Sequence, residues 1–101
     1  MIGVYVTFQY DGGFDRSRVT NIAEHARSMF EGMPGLTYKF FTFDEMGRVA
    51  RNFYVWEDEQ AARAFFNEEL KEQVTGLYGV APRIQFAEIA TVVDNTKTTP
   101  R

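Results

Sequence analysis

The sequence predicts a single α+β domain in which four antiparallel strands form one sheet and two helices cover one of its faces. Apolar residues alternate over four short stretches, and they repeat every three or four residues over two longer stretches. The resulting order is β-α-β-β-α-β. Because β-α-β units prefer right-handed crossovers, this order gives the ferredoxin-like arrangement. The length of 101 residues fits one domain.

The first part of the chain predicts a strand, a turn and a helix. Residues 2–10, IGVYVTFQY, alternate between apolar and polar groups as a half-buried strand does. DGGF at 11–14 predicts a turn, and Asp15 is suited to cap the helix that follows. Glycine and proline within residues 32–35 end this helix. Its apolar stripe consists of Val19, Ile22, Ala23, Ala26, Met29 and Phe30.

A hairpin and a second helix follow. LTYKFFTFD at 36–44 and VARNFYVWE at 49–57 are rich in β-branched and aromatic residues, and only EMGR separates them. Asp58 is a good N-cap for a continuous helix over 59–73. These two strands are therefore expected to pair directly.

The end of the chain predicts a loop, one more strand and a tail. TGLYGVAP at 75–82 contains two glycines and is expected to be a loop, and RIQFAEIATVVD at 83–94 is expected to be the last strand. Residues 95–101 are polar. We therefore expect one ferredoxin-like domain over 1–94 and a polar tail over 95–101.

Charge and composition exclude several classes of protein. The net charge of −3 and the pI near 5.1 lack the basic excess that nucleic-acid binding requires. No cysteine is present, and one histidine cannot form a multi-histidine metal site within one chain. No stretch has the roughly 20 apolar residues of a membrane span, and no signal peptide is seen. We expect no metal, no nucleic acid, no membrane association and a cytoplasmic location.

The topology also resembles the RNA recognition motif, which fixes the expected facing of the strands. VYVTFQ resembles the first short motif, with Tyr5 as the stacking ring, but Arg51 stands where the second motif expects a ring and Ala50 where it expects glycine. RNA binding is therefore the least favoured function. The comparison predicts that Tyr5, Thr7, Arg51, Phe53 and Val55 face away from the helices. It predicts that Val4, Val6, Phe8, Asn52, Tyr54 and Trp56 face toward them.

The outward set is too apolar to remain in water. An apolar open sheet on a small domain is commonly an oligomer surface. Two copies packed sheet to sheet would form a symmetric pair. We therefore expect a homodimer.

The order and spacing of MPGLTYKFF, NFYVWEDEQAARAFF and a long final strand resemble the dimeric α/β-barrel superfamily. Within it the chain is similar to the antibiotic-biosynthesis-monooxygenase type, and most similar to its small YdhR branch. The resemblance implies a dimeric α/β barrel with a pocket between the sheet and the helices of each subunit. Some members oxygenate polycyclic phenols without metal or flavin, so no cofactor is expected. The aromatic pair Phe65 and Phe66 stands where haem-cleaving members have a histidine, so haem is not expected.

The resemblance also suggests site residues. Asn52 and Trp56 lie four apart on one strand, hence on one face, and resemble an Asn and a Trp of the phenol oxygenases. Asn52 is a candidate catalytic residue, or else it closes a strand-end hydrogen bond. His25, at the edge of the first helix's stripe, is the candidate base, because histidine exchanges protons near neutral pH; a structural role is the alternative. The predicted substrate pocket comprises Tyr38, Asn52, Tyr54, Trp56, Phe65 and Glu69.

Glu69 is the least expected member of this set, because an inward carboxylate is costly unless it is paired. Either it reaches the pocket or the helix ends before it, and the second alternative is favoured. The leading hypothesis for the function is a cofactor-independent monooxygenase acting on an aromatic, quinol-like molecule. The alternative is a non-catalytic barrel that binds a small molecule.

Overall fold

The computed structural model describes residues 1–97 and shows one four-stranded antiparallel sheet covered by helices on one face. The strands are β1 (Ile2–Gln9), β2 (Leu36–Asp44), β3 (Val49–Trp56) and β4 (Arg83–Glu88). The helices are α1 (Arg16–Phe30), α2 (Glu59–Phe65) and α3 (Glu68–Tyr78), and a 3₁₀ turn spans Asn95–Lys97. The strand order β2-β3-β1-β4 confirms the ferredoxin-like fold.

The register of β1 confirms the predicted facing of the strands. Val4 lies opposite Tyr54 of β3 and Phe86 of β4, and residues directly opposite share one face. Val4 and Phe8 are completely buried, whereas Tyr5 between them is 40% exposed. The helices therefore cover the face that carries the even-numbered residues of β1.

The core between sheet and helices is rich in aromatic rings. Trp56, Phe8 and Val4 are its largest fully buried side chains. Trp56 lies against Phe65 at 5.2 Å between ring centroids, and Tyr54 meets Phe66 edge to face at 4.9 Å. Each buried ring of this kind contributes roughly 1.5–3 kcal/mol relative to its exposed state. The rings hold α2 tightly on β3.

The first helix begins and ends as predicted. The Asp15 side chain accepts hydrogen bonds from the backbone N–H groups of Ser17 and Arg18, which satisfies donors that the first helical turn leaves free. Val19 is its most buried residue, so the predicted stripe faces the sheet. The backbone turns at Gly32, which has a positive φ of 74°.

The prediction of one continuous second helix over 59–73 is wrong. α2 ends at Phe65, Phe66 leaves the helical conformation, and Asn67 starts α3 by accepting a hydrogen bond from the N–H of Leu70. Asparagine is one of the preferred N-cap residues. The two glutamates in the first turn also stabilise α3, because the N-terminal end of a helix is partially positive. The preferred reading of Glu69, that the helix ends before it, is confirmed.

The predicted loop over 75–82 also needs correction, because α3 continues through Tyr78. It ends at Gly79, whose φ of 86° is left-handed and whose N–H bonds to the carbonyl of Thr75. Glycine adopts this conformation at little cost, which makes it a frequent helix terminator. The glycine that stops α3 is therefore Gly79 rather than Gly76.

The last strand is shorter than the predicted 83–94. β4 pairs with β1 up to Glu88, which lies opposite Ile2, the first residue of β1. Beyond this point only the N–H of Ile89 reaches across, to the carbonyl of Met1. β4 therefore ends where its regular pairing with β1 ends.

Residues 89–96 instead cross the open face of the sheet. Ile89 lies near Gly3 in the centre of that face, and the hydroxyl of Tyr38 on the edge strand β2 donates to Asp94 at 3.1 Å. A hollow of about 690 Å³ remains between this segment and the sheet. The segment covers the face only in part, since Phe40 is 50% exposed and Val93 80%. Part of the predicted tail, residues 98–101, lies outside the described residues.

Candidate functional site: an aromatic cavity between sheet and helices

A cavity of about 270 Å³ lies between the sheet and helices α1 and α3. Strands β2 and β3 form its floor, and residues of α1, α2 and α3 form its walls. Its wall is mainly apolar, with few polar groups. The rings in this wall are Phe30, Phe41, Tyr54, Phe65 and Tyr78. This composition is typical of small-molecule sites, which combine apolar walls with a few placed polar groups.

The volume sets the size of the guest. A dry cavity of about 150 Å³ in another protein holds one benzene molecule. The present cavity is nearly twice as large, so two fused aromatic rings fit it. Flat rings in the wall would also contact the faces or edges of such a guest favourably.

One cation stands in this apolar wall. Lys39 projects from β2 toward the helices, directly opposite Tyr54 of β3. Its ammonium nitrogen lies 3.7 Å from the ring centre of Phe30, 4.0 Å from that of Phe41 and 3.9 Å from that of Tyr54. It makes no hydrogen bond or ion pair with any residue in 1–97. The amine is therefore held by ring faces alone.

Burial decides the protonation of this amine. Burial lowers the pKa of Lys39 to about 7, because the charged form loses its water without gaining a carboxylate. The three rings act in the opposite direction, since their negative faces attract the ammonium. Near neutral pH both forms of the amine are populated.

Asn52 lies on the same face of the sheet, opposite Phe41 and one diagonal step from Lys39. It is buried, and its amide nitrogen donates to the hydroxyl of Tyr78 at 3.1 Å. The hydroxyl of Tyr10 donates in turn to the backbone carbonyl of Tyr78 at 2.7 Å. These bonds fix the end of α3 on the sheet and orient the polar side of the cavity.

The tyrosines of the cavity remain neutral phenols. Burial raises the pKa of Tyr54 well above its usual range, and the neighbouring Tyr78 adds to this shift. Burial also raises the pKa of Tyr78, partly offset by the hydrogen bond from Asn52. Both hydroxyls can therefore donate hydrogen bonds to a guest, but neither acts as a base near neutral pH.

The structure brings together only part of the predicted pocket. Asn52, Tyr54 and Phe65 line the cavity. Trp56 lies beyond them in the core, stacked on Tyr54 at 6.3 Å, and its indole N–H has no partner among the described residues. It supports the cavity wall without lining it.

Three other predicted residues lie outside the cavity. Tyr38 is on the open face, because neighbouring strand residues alternate and Lys39 takes the inward position. Glu69 is exposed in the first turn of α3. His25 is exposed on α1, where its Nδ1 lies 2.8 Å from the carbonyl oxygen of Asn21, and it borders a different hollow beside Leu77.

Sequence reasoning missed Lys39. The signal was present, because Lys39, Phe41 and Phe43 share one face of β2 by simple alternation. A lysine in line with two phenylalanines is an unusual member of a core-facing set. Choosing Tyr38 for the pocket assigned the wrong face of this strand.

Two further hollows adjoin the cavity. One, of about 390 Å³, shares Phe30, Lys39 and Phe41 with it, and the other, of about 170 Å³, shares Phe41, Asn52 and Tyr78. Lys39 thus stands between the cavity and the larger outer hollow. A guest longer than two rings would extend past this amine.

Two searches confined to the described part of the chain gave no result. Among residues 1–97, no group of three or more His, Cys, Asp or Glu side chains is placed to hold a metal ion. None of the helices within that range has the length and apolar character needed to cross a membrane.

Comparison with solved structures shows what this fold is similar to. A monooxygenase from the gene ActVA-Orf6 of Streptomyces coelicolor, in complex with the ligand Nanaomycin D, is 23% identical, with a TM-score of 0.70 over 91% of this chain and 89% of that one. A protein of unknown function from Nitrosomonas europaea is 18% identical, with a TM-score of 0.70 over 91% of both chains. SnoaB, a cofactor-independent oxygenase from Streptomyces nogalater, is 15% identical, with a TM-score of 0.64 over 91% of this chain and 95% of that one.

These similarities establish the fold. The similar structures include proteins of the antibiotic-biosynthesis-monooxygenase type, whereas nothing in them singles out the YdhR branch. No protein-family model matches the sequence, and no curated protein matches it either.

Proposed function

We propose that this protein is a cofactor-independent monooxygenase that oxidises a phenol- or quinol-like aromatic molecule in the cavity between sheet and helices. The observation that carries the proposal is the cavity itself, an aromatic-walled space of about 270 Å³ with the half-buried amine of Lys39 and the buried amide of Asn52 on its floor. The cofactor-independent oxygenase and the ligand-bound monooxygenase with the same fold support the assignment.

The chemistry requires little from the protein. An electron-rich aromatic anion can give electrons to O₂, so that a ring CH₂ becomes a carbonyl, one oxygen atom enters the product and the other leaves as water. The cavity contributes by excluding water and by holding the ring system in one orientation. The neutral hydroxyls of Tyr54 and Tyr78 are available to bind the oxygen atoms of the substrate.

The proposal includes a homodimer formed through the open face. Tyr5 is 40% exposed and Phe40 50%, although both belong to a continuous layer of rings with Phe53. Such a layer is poorly suited to water and well suited to a copy of itself. A pair of this kind buries on the order of 2,000 Å² or more. Native mass spectrometry of protein from its own cells measures the pair and any retained guest together.

Oxygen consumption tests the activity. We expect the protein to accelerate O₂ uptake by anthrone, with one O₂ consumed and one water released for each anthraquinone formed. Val74 lines the cavity from α3, so Val74→Phe fills the space and should abolish the acceleration. The matched control is Met46→Phe, which adds a ring at a turn residue that is 95% exposed and lies away from the cavity.

The remaining outcomes separate the alternatives. Tight binding of the aromatic compound without oxygen uptake would establish a non-catalytic binding barrel. Equal activity in Val74→Phe and wild type would show that the reaction does not take place in the cavity. Oligonucleotide binding that weakens steeply with salt would favour the RNA reading.

A further inference from the structure

Lys39 places its amine among aromatic rings, although a lysine usually extends its charged tip into water. When a lysine only covers apolar surface, its stem lies on the surface and its tip is solvated. Here the tip itself lies within 4.0 Å of three ring centres. An apolar residue at this inward position of β2 would avoid the cost of burying an unpaired amine. The position therefore calls for a role beyond packing.

The surroundings give this amine two accessible protonation states. Burial favours the neutral amine, and the faces of Phe30, Phe41 and Tyr54 favour the ammonium. A general base needs both, since the neutral form takes the proton and the charged form must then be tolerated. An amine on an exposed helix is not buried, so its neutral form is not favoured. An amine in an aliphatic core has no ring faces to favour its charged form.

We infer that Lys39 is the base of the cavity, which accepts the hydroxyl proton of a bound phenol and holds the resulting phenolate as an ion pair. The O–H bond of the guest breaks, an N–H bond forms at Nζ, and the electron pair stays on the phenolate oxygen. No other reagent takes part in this step. The inference deepens the proposed function, on which it rests, by assigning the cavity to acidic phenols and enols.

The other groups around Lys39 do not compete for this proton. From β3 and α3, the phenols of Tyr54 and Tyr78 have raised pKa values and stay protonated. From α1, Arg27 and Glu31 line the outer hollow that Lys39 also borders, but they pair with each other at 3.6 Å. Tyr38 of β2 reaches the same hollow and donates to Asp94 on the open face.

A bicyclic phenol tests the inference directly. We choose 2-naphthol, because its two rings match the cavity volume, it is neutral in water at about pH 8, and its anion absorbs at longer wavelength. In wild type we expect the ionisation midpoint of bound naphthol to fall by about 1–3 pH units, the range typical of an adjacent opposite charge. Lys39→Met keeps the length of the side chain and should bind naphthol in its neutral form.

Counting protons distinguishes a base from a fixed charge. At about pH 8 the Lys39 amine is largely neutral, so transfer from naphthol stays inside the complex and releases almost no proton to the buffer. Lys39→Arg also stabilises the anion, but guanidinium accepts no proton, so about one proton should appear in the buffer for each naphthol bound. Calorimetry in buffers of different ionisation enthalpy measures this difference. Lys71→Met, on the exposed side of α3, is the matched control and should behave as wild type.

These experiments distinguish failure of the Lys39 inference from failure of the proposed function. If wild type binds naphthol with the same ionisation midpoint as Lys39→Met, Lys39 is not the base, although the cavity remains a binding site. Ionised bound naphthol without oxygen uptake would support the inference and contradict only the oxygenase activity. If wild type binds no naphthol and consumes no oxygen, the proposed function fails and the inference fails with it.

Discussion

The two faces of the sheet both carry aromatic rings, but the rings are arranged differently. On the helix side, Phe66 meets Tyr54 edge to face at 88°, whereas Phe8 and Tyr78 stack at 5°, so rings from the helices and the sheet pack in several orientations. On the open side, Phe40 lies at 17° to Phe53 and at 12° to Tyr38, so the rings stand nearly parallel. Helix and sheet interlock on the first face, whereas the second is a single layer of strand residues that point the same way.

This difference indicates what each face can bind. The helix side is covered by the chain itself and leaves a cavity of about 270 Å³ with two adjoining hollows, which fits a small molecule. The open side is a broad layer only partly crossed by residues 89–96, which fits a second sheet. In the proposed function, the same residue type serves recognition of a small guest on one face and association on the other.

Removing one ring from each face should give the largest contrast in stability. Phe8 is completely buried and stacks on Tyr78 at 3.8 Å, so Phe8→Ala should lower the free energy of unfolding by about 3–5 kcal/mol. Phe40→Ala, on the half-exposed ring of the open face, should cost about 1 kcal/mol or less in the separated monomer. Urea denaturation at low protein concentration measures both. Equal costs would show that the open face is as well packed as the core.

A charge on the open face should break association without unfolding the subunit. Phe40→Glu enters a symmetric interface twice, so we expect the dissociation constant of the pair to rise about 100-fold or more. Sedimentation across a range of protein concentrations measures this change. Met46→Glu, at a turn residue that is 95% exposed, is the matched control and should leave association unchanged. A wild type that stays monomeric at high concentration would contradict the sheet-to-sheet pair.

The buried amine should make stability depend on pH in a particular direction. Its pKa is about 7 in the folded chain and about 10.4 in an unfolded one, so between these values only the unfolded chain carries the proton. The free energy of unfolding therefore rises with pH in this window. From about pH 6.5 to about pH 9, wild type should gain about 2–3 kcal/mol more than Lys39→Met.

The control for this prediction is Lys71→Met, because Lys71 is exposed and paired with Glu68 at 3.0 Å. Its difference from wild type should stay nearly constant with pH. The measurement should remain below about pH 9.5, since the raised pKa values of Tyr54 and Tyr78 lower stability at higher pH. If the free energy of unfolding changed with pH in the same way in wild type and Lys39→Met, the three rings would stabilise the ammonium as well as water does.

Removing one tyrosine hydroxyl from each face of the sheet should give the smallest contrast in stability. Tyr78→Phe leaves the buried amide of Asn52 without its acceptor and should cost about 1–2 kcal/mol. Tyr38→Phe removes an exposed hydrogen bond to Asp94 and should change stability by about 0.5 kcal/mol or less. Thermal denaturation of the two variants measures both changes in stability. A larger loss in Tyr38→Phe would show that residues 89–96 are held on the open face by this bond.

Particular residues show why only part of the site was predictable. Asn52 was singled out by the family resemblance, and alternation along β3 and spacing after Asp58 place Asn52, Tyr54 and Phe65 on the helix side. His25 was misplaced because helical spacing gives relative directions but not the tilt of a helix on the sheet. The break between α2 and α3 has a local signal in Asn67 followed by two glutamates, which the longer apolar periodicity obscured.

The sequence by itself determined the order of elements, the cap at Asp15, the facing of β1 and β3, and the apolar character of both sheet faces. These follow from local rules, namely side-chain alternation, helical periodicity and the conformational freedom of glycine. Only the tertiary structure decided that β4 ends opposite Ile2, that Tyr38 lies outside, and that Lys39 is enclosed by three rings. These outcomes depend on which strand lies beside which, and on residues far apart in the chain that together bring three rings to one amine.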